Sequence, residues 1–216
     1  MPSSNPEAIP TIVQLVWRLA PTSVVDIGAG YGKYGVLFRE YLEMLHSRQD
    51  RERLHSARPT QRRVQIDAVE GFPDYVGPLH RCVYDHIFLE NVVDFVKREH
   101  SYDLAFIGDV LEHVDKQVAH QVVIPRLVGC TRLGVLISVP ADDNEQGATF
   151  GNELEVHRSS WSPRDFRKHA PFVCSGFKGA HLVVFLTRDQ RCFDLCRGHP
   201  AKRMLRRMLR SVKDYW

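Results

Sequence analysis

The sequence predicts a doubly wound α/β fold, in which helices cover both faces of one sheet. Short apolar segments that suit buried strands alternate with segments whose apolar residues recur at helical spacing. The first apolar segment ends in an acid and a glycine-rich turn, as strands do at the ligand-binding edge of such sheets. The 216 residues, 44% hydrophobic and 25% charged, suit a single domain over residues 1–216.

Apolar residues at helical spacing predict three helices. The first begins at Pro10, and we expect residues 1–22 to cover the ligand site or an edge of the sheet. The second follows the glycines, and Pro125 kinks or splits the third. Ser162 before Pro163 predicts the start of a further helix. The apolar positions are Ile12, Leu15, Val16 and Leu19 in the first helix, Tyr34, Leu37, Phe38, Tyr41, Leu42 and Leu45 in the second, and Val118, Val122 and Leu127 in the third.

Six apolar segments predict strands. The second ends in Glu70, a turn containing Asn91 follows the third, and the fourth runs into Asp-Val-Leu-Glu-His at residues 109–113. Ligands of doubly wound sheets bind at the carboxyl ends of the strands, so we expect the functional site where these turns meet. The predicted strands lie in residues 24–27, 64–70, 87–95, 102–114, 133–140 and 181–187.

The turn after the first strand has glycine at every second position. Gly28, Gly30 and Gly32 allow a ligand to approach the backbone closely, and the helix that follows presents free N–H groups. The Gly-x-Gly-x-Gly spacing differs from the Gly-x-Gly-x-x-Gly of dinucleotide sites. Asp26, two residues before the first glycine, would repel a pyrophosphate, but it suits a ligand that carries an ammonium group.

These segments, in this order, resemble those of the class I S-adenosylmethionine-dependent methyltransferases. The glycine turn matches the first motif of that family, Asp/Glu-x-Gly-x-Gly-x-Gly, and the sequence at residues 109–113 is similar to small-molecule members. The resemblance covers residues 23–188. It implies a mostly parallel, seven-stranded Rossmann-like methyltransferase sheet whose last strand is antiparallel.

The resemblance also implies the cofactor S-adenosyl-L-methionine, with S-adenosyl-L-homocysteine as product. By the same resemblance, Glu70 accepts hydrogen bonds from the ribose hydroxyls and Asn91 faces the adenine amino group. The implied cofactor-binding residues are Asp26, Gly28, Ala29, Gly30, Gly32, Glu70, Gly71, Phe72, Asn91, Val92 and Asp109. One departure is the 42-residue separation between Gly28 and Glu70, where about 20 is usual. We interpret the surplus, residues 47–63, as a basic surface insert.

The acceptor side of the site is expected to follow the fourth and fifth strands. Residues 140–161 form a long connection, which is typical of an active-site lid, and contain a His-x-x-x-Trp stretch that resembles small-molecule methyltransferases. His157 and His113 are the candidate catalytic bases for a small-molecule hydroxyl acceptor. The alternatives are an RNA or protein methyltransferase, and a cofactor-binding regulatory or assembly protein without catalysis.

A metal site made from Asp109, Glu112, His113 and His157 is the alternative reading of the same residues. We predict no metal there, because no helical His-x-x-x-His or similar spacing is present. Five cysteines without a Cys-x-x-Cys pair likewise indicate neither a zinc site nor a disulfide framework.

Charge is distributed unevenly along the chain. Residues 47–63 carry six Arg against two acids, residues 188–216 carry nine basic against three acidic residues, and the remainder is acidic, with 14 basic against 21 acidic residues. The insert is expected opposite the active-site edge, so nucleic acid bound there would not reach the methyl group. The N-terminal segment has neither the basic nor the apolar region of a signal peptide, and no apolar stretch could span a bilayer, so we expect a cytoplasmic protein.

The C-terminal residues 197–216 predict a basic amphipathic helix. Met and Leu fall on one face, and Lys and Arg lie largely on the other. Such a helix could dock on an anionic membrane surface or an acidic partner, or pack on its own domain or a twin subunit.

Overall fold

Seven strands form one sheet in a computed structural model of the chain, which describes residues 6–49, 62–141, 146–149, 151–177 and 181–197. Their order across the sheet is β3-β2-β1-β4-β5-β7-β6. The strands are Ser23–Ile27 (β1), Gln65–Val69 (β2), Ile87–Phe88 (β3), Tyr102–Gly108 (β4), Thr131–Pro140 (β5), Phe172–Phe177 (β6) and His181–Leu186 (β7).

The first five strands are parallel, and β7 runs antiparallel to both of its neighbours, β5 and β6. The predicted α/β fold with a mostly parallel sheet and an antiparallel final strand is therefore confirmed. The strand Phe172–Phe177 was not predicted, because Ser175 and Gly176 interrupt its apolar run. The chain direction across the sheet reverses between β1 and β4, which opens a crevice at their carboxyl ends.

Seven α-helices and several short turns connect the strands in the described part of the chain. The helices are Ile9–Leu19 (α1), Lys33–Gln49 (α2), Pro78–Val83 (α3), Val92–Phe95 (α4), Lys116–Val118 (α5), Ile124–Cys130 (α6) and Gln190–Arg197 (α7). Single 3-10 turns span Pro6–Ala8, Pro73–Tyr75, Leu111–His113 and Glu153–Glu155, and a π-helical segment spans Ala119–Val123.

The first helix buries the face that the sequence predicts, and the second buries it in part, because Leu37 and Leu45 are half-buried and Tyr41 is exposed. Helix α1 buries Ile12, Leu15, Val16 and Leu19, and it ends at Ala20 in the left-handed conformation. Helix α2 buries Tyr34, Phe38 and Leu42, which pack with Phe106 of β4 in one core cluster. A second cluster, with Val25 and Ile107, lies on the opposite face of the sheet. Two apolar faces therefore hold the sheet between helical layers.

The region around Pro125 is split as predicted, because the π-helical segment joins α5 to α6. The helix predicted at Pro163 is wrong, since residues 163–169 form turns. The Asp165 carboxylate accepts hydrogen bonds from the Ser162 N–H and hydroxyl at 2.8 Å each, and Pro171 follows before any longer helix can form.

Some predictions fall outside the described residues. Most of the basic insert 47–63, nearly all of the tail 197–216, and residues 142–145 and 150 of the 140–161 connection are among them. Within the described residues, no helix is both long and apolar enough to cross a membrane. The cysteines whose side chains are described, Cys82, Cys130, Cys192 and Cys196, are free thiols.

Candidate active site

A cavity of about 810 Å³ opens at the carboxyl ends of β1, β2 and β4. Its volume lies within the range of about 300–1,000 Å³ that small-molecule sites occupy. One end is lined by the glycine turn, Glu70 and Asn91, and the other by residues 112–115, His157 and Arg158. The cavity thus unites the turns that the sequence places at the carboxyl ends of the strands.

The glycine turn forms one wall of the cavity at the end of β1. Gly28 and Gly30 have φ values of +75° and +54°, which L side chains rarely adopt. The N–H groups of Gly28 and Ala29 donate to the Val69 carbonyl at 2.9 and 3.2 Å, which fixes the turn against the end of β2. A Cβ atom at Gly28 would overlap the Val110 side chain. The backbone itself therefore forms the surface that a ligand would meet.

Glu70 lies directly beside this turn, where the sequence places it. Its Oε2 accepts a hydrogen bond from the Gly30 N–H at 2.7 Å, and its Oε1 accepts one from the Phe72 N–H at 2.8 Å. Burial raises the pKa of the Glu70 carboxyl, while these N–H groups act in the opposite direction. The carboxylate lines the cavity and has further lone pairs available to donors of a ligand.

Asp26 is buried beneath the turn and does not line the cavity. The Tyr84 hydroxyl donates to its Oδ2 at 2.6 Å. Burial raises the pKa of Asp26 to about 7, although this hydrogen bond lowers it. The structure thus pairs Asp26 with Tyr84 in the protein interior, away from the cavity.

His80 is a supporting residue that the sequence analysis missed. Its Nδ1 accepts a hydrogen bond from the Gly77 N–H at 3.2 Å, so Nε2 carries the proton that it donates to the Gly30 carbonyl at 2.9 Å. The ring is 1% exposed, and it lies in α3, a helix for which the sequence offers no clear signal. His80 and Tyr84 therefore hold the glycine turn from the side opposite the cavity.

The remaining cofactor-binding candidates divide into two groups. Gly71, Asn91 and Val92 line the cavity, whereas Gly32 and Phe72 do not. The Asn91 side chain caps α4, because its Oδ1 accepts from the Asp94 N–H at 3.0 Å and its Nδ2 donates to the Asp94 carboxylate at 2.6 Å. This cap turns the amide towards the helix.

Two segments meet at the end of the cavity that is lined by residues 112–115, His157 and Arg158. The Glu112 carbonyl accepts hydrogen bonds from the N–H groups of Arg158 at 2.7 Å and Ser159 at 3.0 Å. The Ser159 hydroxyl lies 2.9 Å from the Val114 carbonyl and accepts a hydrogen bond from the Trp161 indole at 3.0 Å. These contacts attach the end of the 140–161 connection to the turn after β4.

Replacing Ser159 by Ala is expected to lower the free energy of unfolding by about 1–3 kcal/mol, since the indole N–H of buried Trp161 then lacks its partner. Urea unfolding measures the change. The neighbouring Ser160→Ala is a matched control, because Ser160 is exposed and Lys116 contacts its backbone carbonyl, which alanine retains. Equal losses in the two variants would contradict this role of Ser159.

This attachment brings the two predicted catalytic histidines together. The ring centroids of His113 and His157 lie 5.0 Å apart, and both side chains line the cavity. Burial lowers the pKa of His113, whose Nδ1 is 3.3 Å from the Val156 carbonyl. Burial also raises the pKa of the neighbouring Glu112 well above its ordinary range, and the Asp109 carboxylate raises it further. A neutral imidazole is the form that can accept a proton or a metal ion.

Asp109 lies between the two ends of the cavity in the left-handed conformation, with a φ of +52°. Its Oδ1 is 3.4 Å from His181 Nε2, and that nitrogen is 2.7 Å from the Ser138 hydroxyl. Lys33 also lines the cavity, and burial lowers its pKa while Asp109 and Asp26 act in the opposite direction. His181 reaches the site through folding alone, whereas Lys33 directly follows the glycine turn that the sequence places there.

Several solved structures share this fold. An O-methyltransferase family protein from Burkholderia thailandensis has 14% identity and a TM-score of 0.55, and the match covers 85% of this chain and 57% of that one. Magnesium protoporphyrin IX methyltransferase from Synechocystis PCC 6803, solved with bound SAH, has 13% identity and a TM-score of 0.53 over 84% and 83% of the two chains. The N-methyltransferase NodS from Bradyrhizobium japonicum WM9 has 11% identity and a TM-score of 0.50 over 86% and 98%.

No protein-family model and no curated protein matches the chain. At identities of 11–14% the structural likeness establishes the fold, and this chain spans little more than half the length of the Burkholderia protein. The chain thus has the fold of the class I S-adenosylmethionine-dependent methyltransferases, which the sequence motifs indicate.

Proposed function

We propose that the protein is a methyltransferase that binds S-adenosylmethionine and transfers its methyl group to a small molecule, at a hydroxyl oxygen. The observation that carries the proposal is the Glu70 carboxylate, which lines the cavity while it holds the Gly30 N–H at 2.7 Å. A buried carboxylate beside an open glycine backbone suits the hydroxyls of a ribose. The donors and acceptors at this end of the cavity therefore fit the cofactor.

Residues at one end of the cavity would bind the cofactor, and residues at the other end would act on the acceptor. Glu70, the glycine turn, Gly71 and Val92 would hold the cofactor, which supplies a methyl group on a sulfonium that leaves as a neutral thioether. At the other end of the cavity, His157 and His113 line the space in which the acceptor would face the methyl group. The acceptor hydroxyl must lose its proton as its oxygen attacks, and we propose that it does so at these imidazoles.

A small acceptor is favoured by the shape and charge of the site. The cavity also has to hold the cofactor, and the 140–161 connection lines it through Gln146, Asn152 and Glu155. Outside the insert and tail the chain is acidic, which disfavours a nucleic acid partner at this face. Formation of S-adenosylhomocysteine in the presence of a metabolite extract, but not of RNA or protein, is the expected result.

Replacing Glu70 by Ala is expected to weaken S-adenosylmethionine binding by about 1–3 kcal/mol, because charge-assisted hydrogen bonds are lost. Isothermal titration calorimetry measures the change, with thermal unfolding as the check that the variant is folded. Glu153→Ala is the control, since Glu153 is exposed and does not line the cavity. Calorimetry that shows NAD bound by the native chain, and no S-adenosylmethionine, would overturn the proposal.

A further inference from the structure

We propose that Glu112, His113 and His157 bind a divalent transition-metal cation at the acceptor end of the cavity. One carboxylate oxygen and one nitrogen of each imidazole lie within 4.8 Å of one another, the only such group found in the described part of the chain. A tetrahedral cation about 2.1 Å from each ligand holds the ligand atoms about 3.4 Å apart, so side-chain shifts of about 1–1.5 Å would complete the site.

The Glu112 carboxylate is the first independent observation in favour of a cation. It is 4% exposed, and its Oε2 has no hydrogen-bond partner among the described residues. A buried oxygen without a partner costs free energy, and a nearby carboxylate, here Asp109, adds repulsion. A cation in the cavity would satisfy the oxygen and stabilise the ionised form of both carboxyls.

The orientation of His113 is the second observation. Its Nδ1 is 3.3 Å from the Val156 carbonyl, so the proton belongs on Nδ1, and the lone pair belongs on Nε2. Nε2 lies 3.9 Å from Glu112 Oε1, on the side of the cavity. Histidines that ligate metals almost always donate their other N–H in this way, which fixes the ring. The backbone of the connection thus orients the imidazole for a ligand.

The chemical types of the three ligand atoms indicate which metal ions the site would bind. Two imidazoles and one carboxylate are the protein ligands of catalytic zinc sites, in which another position stays open. Magnesium and calcium prefer oxygen ligands alone, and two of these three donors are nitrogen. The site therefore suits zinc or a neighbouring first-row metal, with an open position towards the cavity.

The metal site itself does not depend on the proposed function, but the role that it would have in methyl transfer does. An acceptor hydroxyl bound to the open position would have a lowered pKa, so its proton would pass to bulk water. Its oxygen would then attack the methyl carbon as the carbon–sulfur bond of the sulfonium breaks and the neutral thioether leaves. The imidazoles would then serve as ligands. The proposal departs from the sequence-based prediction of no metal, because the hydrogen bonds from Arg158 and Ser159 to Glu112 supply the proximity that residue spacing does not encode.

Zinc binding by the full chain tests the proposal without any turnover. After chelation and gel filtration, calorimetry with Zn²⁺ is expected to show one site, and Co²⁺ is expected to give visible d–d absorption. Glu112→Gln and His157→Ala are each expected to weaken Zn²⁺ binding by at least about 10-fold, the effect of losing even an outer-shell partner. Two variants are measured so that the test is still decisive if one of them does not fold.

The matched control is His169→Ala, because His169 Nε2 and His120 Nδ1 lie 2.8 Å apart and offer zinc a competing pair outside the cavity. This variant is expected to retain native affinity. The metal proposal is overturned if the native chain binds no Zn²⁺, or if His169→Ala loses the site while the cavity variants keep it. S-adenosylmethionine binding by the metal-free chain is measured separately, and its loss would instead count against the proposed function.

Discussion

Replacing His157 by Ala is expected to lower methyl-transfer turnover by about 100- to 10,000-fold, the usual effect of removing a group that handles the reacting proton. His157 borders the cavity beside His113 and lies opposite the cofactor end. Turnover is expected to fall in either case, whether the imidazole accepts the proton itself or binds a cation that lowers the pKa of the hydroxyl. His113→Ala is expected to lower turnover in the same direction.

The measurement is the rate of S-adenosylhomocysteine formation with a metabolite extract, accompanied by calorimetry of cofactor binding. Affinity for S-adenosylmethionine is expected to be unchanged in the His157 variant, because Glu70 and the glycine turn lie at the other end of the cavity. His86→Ala is the control, since that imidazole is 66% exposed and does not line the cavity. Full activity in both the His157 and the His113 variants would show that catalysis uses neither imidazole.

Replacing Gly30 by Val is expected to abolish cofactor binding altogether. The residue has a φ of +54°, where a β-branched side chain is strained, and its N–H donates to Glu70 at 2.7 Å. A valine would either displace this N–H or fill the space that the ligand needs beside the backbone. The loss is therefore expected to exceed that of Glu70→Ala, in which the hydrogen bonds from Gly28 and Ala29 to Val69 still hold the turn.

Calorimetry with S-adenosylmethionine checks this expectation, and circular dichroism checks that the sheet is retained. Gly129→Val provides the control, because Gly129 is exposed in α6 and a Cβ atom there meets nothing within 4 Å. That control is expected to bind as the native chain does. If the Gly30 variant bound the cofactor with native affinity, the glycine turn would not be the cofactor site.

Local sequence patterns specify the strands and the glycine turn that form one end of the cavity. The apolar composition of β4 identifies it as an interior strand, because strands buried on both faces are apolar along their length. The structure buries β4 along its whole length. The carboxyl ends of parallel strands share one edge, and for that reason Gly28, Glu70 and Asn91 could be placed together before the structure was known. The strand Phe172–Phe177 escaped prediction because its apolar run is interrupted.

Long-range folding brings together polar groups that are far apart in the sequence. Asp26 turned out to lie beneath the turn with Tyr84, His80 to hold Gly30, and His157 to join Glu112. Hydrogen bonds, desolvation and charge repulsion depend on distances in space, and apolar periodicity reports only which face of an element is buried. The chemistry at the acceptor end therefore comes from long-range contacts that local sequence patterns do not encode.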